Sequence, residues 1–499
     1  MPVGPIARRT VLIGAGALAG GLLTRTVMRD DRPEGSVFPA EPMAGEGDIL
    51  NDASLLSPTR VAAHFTLSND QREALVTSLQ AELAQARSAG RPVVVSAARH
   101  SMGGQSLVAN GSVVTLDKGW LEADTQNRTC RVSAGMRWSE VIARLDAIGF
   151  SPKVMQSNND FGVASTFSVN AHGWPVPWSA FGSTVRSILL MLASGELVTC
   201  SRTENTELFN LAMGGYGLIG AIVELEMEIV ANRNLEPTFE RLPGDQFGKR
   251  FVEVLKSDPT IEMAYGRLDV TIGSFFDEAL LITYRPTADQ SQLPAASGSG
   301  IVSHVAAKIF RAQLQSDRVK TLRWAMETTI GPSMASGLAT RNSLMNEPAV
   351  TLDDGDPTRT DILHEYFVSP DRFADFVTAC RDIIPSSYQE LLNVTLRFVD
   401  TDRDSVLAYA TEPRIAAVML FSQEMTVRGE GDMARMTSAL IERVLEIGGT
   451  YYLPYRPHAR PDQFVRGYGR TAEFAAAKRR LDPDLLFRNG LWDNYIAAL

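Results

Sequence analysis

Cysteine is scarce. The 499 residues hold three, Cys130, Cys200 and Cys380, with no Cys-x-x-Cys spacing and no neighbouring histidine. That pattern gives no zinc or dithiol motif, and three buried thiols are the expected state, with one disulfide open to an exported protein. No cluster of Lys and Arg interleaved with aromatics occurs, and the formal net charge is −10, so the basic face of a nucleic-acid binder is missing. The apolar run from Val11 to Leu23 falls short of the ~20 residues that a membrane span needs. No internal repeat or low-complexity tract stands out. What is present, 44% hydrophobic and 21% charged residues, is an ordinary globular composition in a chain long enough for two large domains.

At the N-terminus two readings compete. Gly14-x-Gly16-x-x-Ala19 has the glycine spacing of a dinucleotide turn, which requires a second strand with an acidic end. The charged stretch Arg29-Asp30-Asp31-Arg32-Pro33-Glu34-Gly35 stands where that strand belongs. Paired arginines (Arg8-Arg9), a short apolar core and a polar follow-on fit a twin-arginine-type export signal better. Residues 1–29 are therefore expected to be a signal and 30–48 a linker, with a periplasmic or otherwise extracytoplasmic destination. No Ala-x-Ala site follows cleanly, so an uncleaved membrane anchor stays open.

The stretch from Arg91 to Gln105 organises the rest. A helix is expected from Ser68 to Gly90, capped by Ser68 or Asn69, with Leu75, Leu79 and Leu83 at helical spacing. It leads into the β-branched run Val93–Val95, a buried strand. That strand breaks into small residues, His100 and the pair Gly103-Gly104, where the backbone can approach a ligand and turn N–H groups toward an anion. Strands are expected at Val113–Asp117 and Arg131–Gly135, then a helix from Trp138 to Ile148. Phe161–Trp174 reads as a second small-residue loop with its own histidine, His172. A hairpin (Ile188–Ala193, Leu197–Cys200), a helix around Glu204–Leu211 and a strand Ala221–Ile229 complete the block.

Five ordered motifs carry a resemblance. They are Arg99-His100-Ser101-Met102-Gly103-Gly104-Gln105, Val132-Ser133-Ala134-Gly135-Met136-Arg137-Trp138, Ser168-Val169-Asn170-Ala171-His172-Gly173, the hairpin, and Gly214–Val223. Together they resemble the PCMH-type FAD-binding domain of the vanillyl-alcohol oxidase family, which includes alditol and aldonolactone oxidases, cytokinin dehydrogenases and decaprenylphosphoryl-ribose oxidases. The resemblance implies FAD held by a two-subdomain unit at 49–232. It places Arg99, Ser101, Met102, Gly103, Gly104 and Gln105 on the pyrophosphate loop, and His100 at the position that often attaches to the flavin 8α-methyl. Gly162, Thr166, Asn170, Ala171 and Gly173 fall along the isoalloxazine, and Ile222 at the adenine end. Ala97, Ala98 and Arg99 stand where glycines are usual, as does Ala164-Ser165. No Cys lies between Cys130 and Cys200, which excludes a thioether from the second loop.

From 233 to 455 the pattern becomes α+β. Strands are expected at Met263–Ile272, Leu280–Tyr284, Ile362–Val368, Leu392–Phe398 and Ile415–Phe421, and helices at Ser369–Ile384 and Asp432–Ile447. Ser297–Leu338 reads as a helical lid. This resembles the family's substrate domain, an antiparallel sheet over the flavin. The tail at 456–499, with Phe474, Lys478, Asp482, Pro483 and Phe487, resembles the family's segment that returns to the FAD domain, so the chain is expected to be complete.

Oxidising a C–OH carbon with flavin needs the ring beside that carbon, a group to take the hydroxyl proton, and positive charge near the reduced ring. Alternate strand residues share a face, so Glu365 points away from His364 and Tyr366. Glu365 is the expected proton acceptor and Arg397 its charge partner, against a merely structural ion pair. Where lactone and ribose oxidases of the family place a Lys near the flavin, this chain has Tyr455 followed by Arg456. His172 meets flavin or substrate, or else caps a turn. The expected function is oxidation of a CH–OH group in a sugar, polyol, lactone or related alcohol, with electrons passing to oxygen or a carrier and no metal or nucleic acid involved. A flavin reductase of an activated double bond, or a binding protein on a degenerate flavin fold, are the alternatives.

Overall fold

The computed structural model describes residue 38 and residues 47–296, 310–330, 339–347 and 356–499. The expected signal lies outside the described residues, as does most of the 30–48 linker.

Strand β1 (Ala63–Leu67) is followed by helix α1 (Arg72–Ser88), β2 (Val93–Ser96) and β3 (Ser112–Leu116). The three strands form a parallel sheet in the order β1-β3-β2. Leu75, Leu79, Leu83 and Ala86 recur at helical spacing and are all buried, which fixes the face α1 presents to the sheet. Each buried leucine contributes roughly 1.5–3 kcal/mol. The helix begins later than its sequence suggests: its N-cap is Gln71, in an extended conformation and without a side-chain cap bond, so neither Ser68 nor Asn69 is used. It stops at Gly90, whose φ of +63° suits glycine.

The second subdomain is antiparallel. β4 (Leu121–Asp124), β5 (Thr129–Ser133), β6 (Val185–Met191), β7 (Leu197–Ser201) and β8 (Ala221–Ala231) assemble in the order β7-β6-β8-β5-β4, and Phe150–Pro152 also pairs with β8. Helix α2 (Trp138–Asp146) packs Trp138, Val141, Ile142 and Leu145 inward. The second small-residue loop is partly a helix, α3 (Val163–Ser168), because Val163, Ala164 and Phe167 all bury on one side. Helix α4 (Thr206–Ala212) follows the β6–β7 hairpin. A parallel and an antiparallel subdomain thus stand side by side, the two-subdomain unit that the resemblance implies.

The remaining sheet has eight strands. After β9 (Asn234–Pro243), helix α5 (Phe247–Ser257), β10 (Met263–Leu268) and β11 (Glu278–Pro286) come helix α6 (Asp317–Ala325) and the two-residue strand Ala339–Thr340. β12 (Arg359–Val368), helix α7 (Phe373–Ile383), β13 (Glu390–Val399), β14 (Arg414–Glu424), helix α8 (Val427–Glu446) and β15 (Thr450–Tyr451) complete it. From Ala339–Thr340 the order runs β9-β11-β10-β13-β14-β12-β15, every pair antiparallel. β9 carries no strong signal in the sequence, since charged residues interrupt the alternation Leu-Glu-Pro-Thr-Phe-Glu-Arg-Leu, whereas α5 has Phe247, Phe251 and Val254 buried at helical spacing and was not expected. β10 is shorter than expected because Asp269 turns the chain, its carboxylate taking Thr271 N–H and Ser274 O–H. Of the expected lid, α6 is described and sits on the sheet, with Arg323 donating to Leu392 O at 2.8 Å; residues 297–309 and 331–338 lie outside the described residues.

The last helix, α9 (Thr471–Leu481), leads to a segment whose Leu486 O accepts Val93 N–H at 2.6 Å and whose Arg488 N–H donates back to Val93 O at 3.0 Å. This segment extends the first parallel sheet alongside β2. Among the described residues no helix is long and apolar enough to cross a membrane. The three cysteines are buried and free.

Candidate active site

Strand β2 delivers the first loop. Arg99 adopts φ of +53°, a left-handed conformation that costs an L-residue about 1–2 kcal/mol and that a glycine adopts freely. Its guanidinium lies 3.2 Å from Thr115 Oγ1 and 3.5 Å from His64 Nε2. No acceptor among the described residues takes the N–H groups of Arg99, His100 or Ser101. Successive free amides at a left-handed turn form an anion-binding concavity.

Gly103 and Gly104 behave otherwise than expected. Their N–H groups donate to Gln105 Oε1 at 2.9 Å and to Asp52 Oδ2 at 2.8 Å, so they shape the loop from within. Gln105 in turn donates to Leu453 O at 2.6 Å, and Met102 N–H to Pro454 O at 2.7 Å. The Ser101 and Ser106 hydroxyls pair at 2.9 Å. A Cβ on Gly103 would meet Tyr455 O at 2.5 Å and Gln105 Nε2 at 2.8 Å. Gly103→Ala must therefore push the loop off the 453–457 segment. Overpacking of this kind costs about 1–3 kcal/mol, and the expected result is purified protein with at least roughly tenfold weaker FAD retention, read from the ratio of flavin to protein absorbance.

The second loop closes against the first. A Cβ on Gly162 would strike Ala97 Cβ at 2.6 Å. His100 packs on Phe161 with ring centroids 4.4 Å apart, and its Nε2 lies 3.5 Å from the Asp160 carboxylate. Burial holds the His100 pKa below its ordinary value, with Asp160 opposing the shift. Arg137, at the N-terminus of α2, has an Nη1 that is buried with no partner among the described residues. Burial lowers its pKa too, and Asp117, Glu140 and Asp160 oppose that. Two guanidinium groups, free amides and close backbone approach fit a diphosphate: Arg99 and Arg137 would supply charge to it, and His100 holds the position that the resemblance gives to flavin attachment. Thr166 takes no part through its side chain. Its hydroxyl accepts from Trp138 Nε1 at 2.8 Å and lies 3.0 Å from Gln156 Oε1 and Gly162 O, so it is used up inside α3. Ile222 is buried in β8, paired with Leu190.

The same loop carries His172 to the seam with the eight-stranded sheet. Asn170, at φ of +47°, accepts Gly182 N–H on Oδ1 at 2.9 Å and donates from Nδ2 to Asp402 at 2.9 Å. Its carbonyl takes the Tyr409 hydroxyl at 2.5 Å. Ala171 is tied by N–H to Thr166 O and by its carbonyl to Phe181 N–H. A Cβ on Gly173 would collide with Met155 O at 1.9 Å, so only glycine lets the chain pass there. His172 is thereby fixed against β12.

On β12 the two faces separate. His364 and Tyr366 point to α7 and α8, where Tyr366 O–H meets His364 Nδ1 at 3.2 Å and Thr437 lies 3.1 Å from His364 Nε2. Burial drives the His364 pKa down to about 3. Glu365 faces the FAD-binding side, where its Oε1 lies 2.5 Å from His172 Nε2 and its Oε2 accepts the Tyr455 hydroxyl at 3.2 Å. Side chains of His172 and Glu365 are 3% and 2% exposed, so this is a dry pair. Burial keeps the His172 pKa below its usual value, with Glu365 opposing, and pushes the Tyr455 pKa well up. A neutral imidazole beside a carboxylate carries its proton on Nε2. That leaves His172 Nδ1 as a lone pair, buried and without a partner among the described residues.

Arg397, from β13, donates to His172 O at 3.2 Å and to Ser157 Oγ at 2.9 Å, and its Nε has no partner among the described residues. It positions the histidine's backbone and makes no ion pair with Glu365. Arg456 turns the other way from Tyr455: it binds Glu430 Oε1 at 2.6 Å and donates to Met102 O at 3.2 Å, tying the first loop to α8 and leaving the Glu365 cluster to its neighbour. Sequence reasoning assigned no role to Tyr409 or Tyr452, whose rings meet at 5.1 Å and wall the pair in, nor to Asp160, Ser157 and Asp402. Arg137, in the Val132–Trp138 motif, and Tyr452, three residues before Tyr455, stood in stretches that could have named them. Among the described residues no group of acidic, His and Cys side chains could hold a metal.

Residues 76–201 match a family model described as an FAD binding domain. D-arabinono-1,4-lactone oxidase of Yarrowia lipolytica is 29% identical over 171 residues, covering 33% of this chain and 32% of its own. L-gulonolactone oxidase of Bos taurus is 23% identical over 118 residues (24% of this chain, 27% of its own), and cytokinin dehydrogenase 9 of Oryza sativa subsp. japonica is 26% identical over 141 residues (26% of each). The chain spans about a third of the length of the curated relatives it matches.

Proposed function

We propose, on the premise that this chain is a PCMH-type FAD-linked flavoprotein, that it oxidises a CH–OH group of a sugar-type lactone, polyol or related alcohol. The observation that carries this reading is the dry His172–Glu365–Tyr455 cluster at the seam between the FAD-binding unit and the antiparallel sheet. FAD, when bound, supplies the hydride acceptor. His172 Nδ1 takes the hydroxyl proton, Glu365 fixes the tautomer and balances the imidazolium that forms, and Tyr455 holds Glu365 in place. Arg397 sets the histidine's backbone and adds positive charge to the site. Tyr409 and Tyr452 exclude water. Oxygen or a carrier receives the electrons, and the paired arginines at 8–9 support export before the protein meets either.

The test is anaerobic: the purified yellow protein is mixed with aldonolactones, polyols and simple secondary alcohols while its visible spectrum is followed. Bleaching by at least one class is expected. If no alcohol bleaches the flavin and only reduced nicotinamide-type donors do, the reading fails in favour of a reductase. A colourless, folded protein would favour the binding-protein alternative.

Covalent attachment through His100 belongs to the same proposal, supported by a neutral imidazole braced between Phe161 and Asp160. Acid precipitation is expected to leave the colour in the pellet, and His100→Ala to move it to the supernatant. Colour in the supernatant of the unaltered protein would rule the bond out.

A further inference from the structure

A second cavity, of about 460 Å³, lies between the 408–414 loop, the Gly448-Gly449 turn after α8 and the Gly467–Gly469 loop. That volume falls in the range of small-molecule sites. Among the described residues no acidic one lines it, whereas Arg414, Arg466 and Thr411 do. Arg414 is built in, with its side chain only 7% exposed. Its Nη1 donates to Gly448 O at 2.9 Å and meets, at 3.0 Å, the carboxylate of Glu412, an exposed residue outside the lining. Its Nε has no partner among the described residues. That nitrogen is itself buried, so an anion in the cavity would meet the charge of Arg414 rather than this donor. Arg466 stands at the rim, 2.8 Å from Glu442 and 3.6 Å from Asp462.

Tyr409 also lines this cavity, and it is the residue whose hydroxyl holds Asn170 O and whose ring centre lies 5.9 Å from that of His172. One side chain therefore belongs to both places.

We propose that this cavity is a binding site for a small oxyanion, a phosphate or a sugar-sized carboxylate, and that Tyr409 transmits its occupancy to the flavin-side cluster. Nothing in the oxidation chemistry requires such a site, and the flavin diphosphate has its own loop at 99–105. Tyr409, one of the lining residues, stacks on Phe367 at 4.2 Å, which suits a ligand that stays whole at a distance from the reacting carbon.

The experiment is calorimetric titration of the FAD-loaded protein with inorganic phosphate and, separately, with gluconate, following flavin fluorescence in parallel. Saturable binding with Kd of roughly 0.1–1 mM is expected from at least one of them, with a change in flavin fluorescence on saturation. Phosphate alone, or gluconate alone, identifies which source of oxyanion the site takes. The matching variant is Gly469→Asp: a Cβ there meets nothing within 4 Å and the backbone is not left-handed, so a carboxylate is added at this lining position without a clash. It is expected to keep the flavin spectrum and weaken the anion at least roughly tenfold, about the effect of losing one charged contact. No heat from either anion, or the same affinity in Gly469→Asp, overturns the site. Binding that the variant abolishes but that leaves the flavin fluorescence unmoved overturns the coupling through Tyr409.

Discussion

Glu365→Gln is expected to lower the rate of flavin reduction by the alcohol by about 10²- to 10⁴-fold, the range found when general-base assistance is lost. The amide keeps the volume of the carboxylate and can still accept the Tyr455 hydroxyl, so the seam between the domains and the bound FAD stay as they are. What disappears is the negative charge that balances a protonated His172. The pH profile separates this from a structural effect. Burial holds the His172 pKa below the ordinary histidine value, and Glu365 is the group that opposes the shift. In the proposed mechanism the competent form is the neutral imidazole, so activity is expected above the folded pKa and lost as the pH falls through it. Removing Glu365 lets that pKa fall further. The residual activity of Glu365→Gln should therefore show its acid limb at lower pH than the unaltered enzyme. A variant with a near-normal rate, or with an unmoved acid limb, would remove the dyad from the mechanism and leave Glu365 a buried structural acid.

That Glu365 faces away from His364 and Tyr366 was legible from strand periodicity, since those two flank it on a strand and must share the opposite face, while its place beside the site was an expectation from the resemblance. The helix of Leu75, Leu79 and Leu83, the strand after it and the β6–β7 hairpin were legible for the same reason: their patterns are local. What could not be read came from distant segments meeting. Tyr409 sits in a stretch without periodicity, and only the return of β14 into the sheet brings its hydroxyl to Asn170. Tyr455 and Arg456 are adjacent, and nothing local says which of them turns toward Glu365; the choice is made by Glu430 on α8, which captures the arginine. Thr166 and Gln105 look like ligands by position, yet tertiary partners occupy their polar atoms. The resemblance gave the loops their order, and packing decided which of their side chains remain free.

Lys478→Met is expected to destabilise the folded protein by about 3–5 kcal/mol, the usual consequence of stripping the partner from a buried charge. Lys478 and Asp482, one helical turn apart at the end of α9, are 0% and 1% exposed and paired through Nζ and Oδ2. The carboxylate does more than balance the lysine: Oδ1 accepts Leu486 N–H at 2.9 Å and Oδ2 accepts Phe487 N–H at 2.8 Å. Those two residues lie against Val93, and β2 runs from there into the His100 loop. Without the ammonium, which lies 5.8 Å and 6.0 Å from the ring centres of Phe487 and Trp492, the buried carboxylate is held by two amides alone. The unfolding temperature should fall by about 3–5 °C, with flavin release at or below the new midpoint because the loop and the tail share one sheet. Asp482→Asn should lose a similar amount, since it leaves Lys478 charged and buried. The double variant should be less damaged than the sum of the two, because an uncharged pair no longer carries the desolvation penalty. Single variants within about 2 °C of the unaltered protein, or strictly additive losses, would show that water reaches the pair and that the tail is held by its apolar contacts.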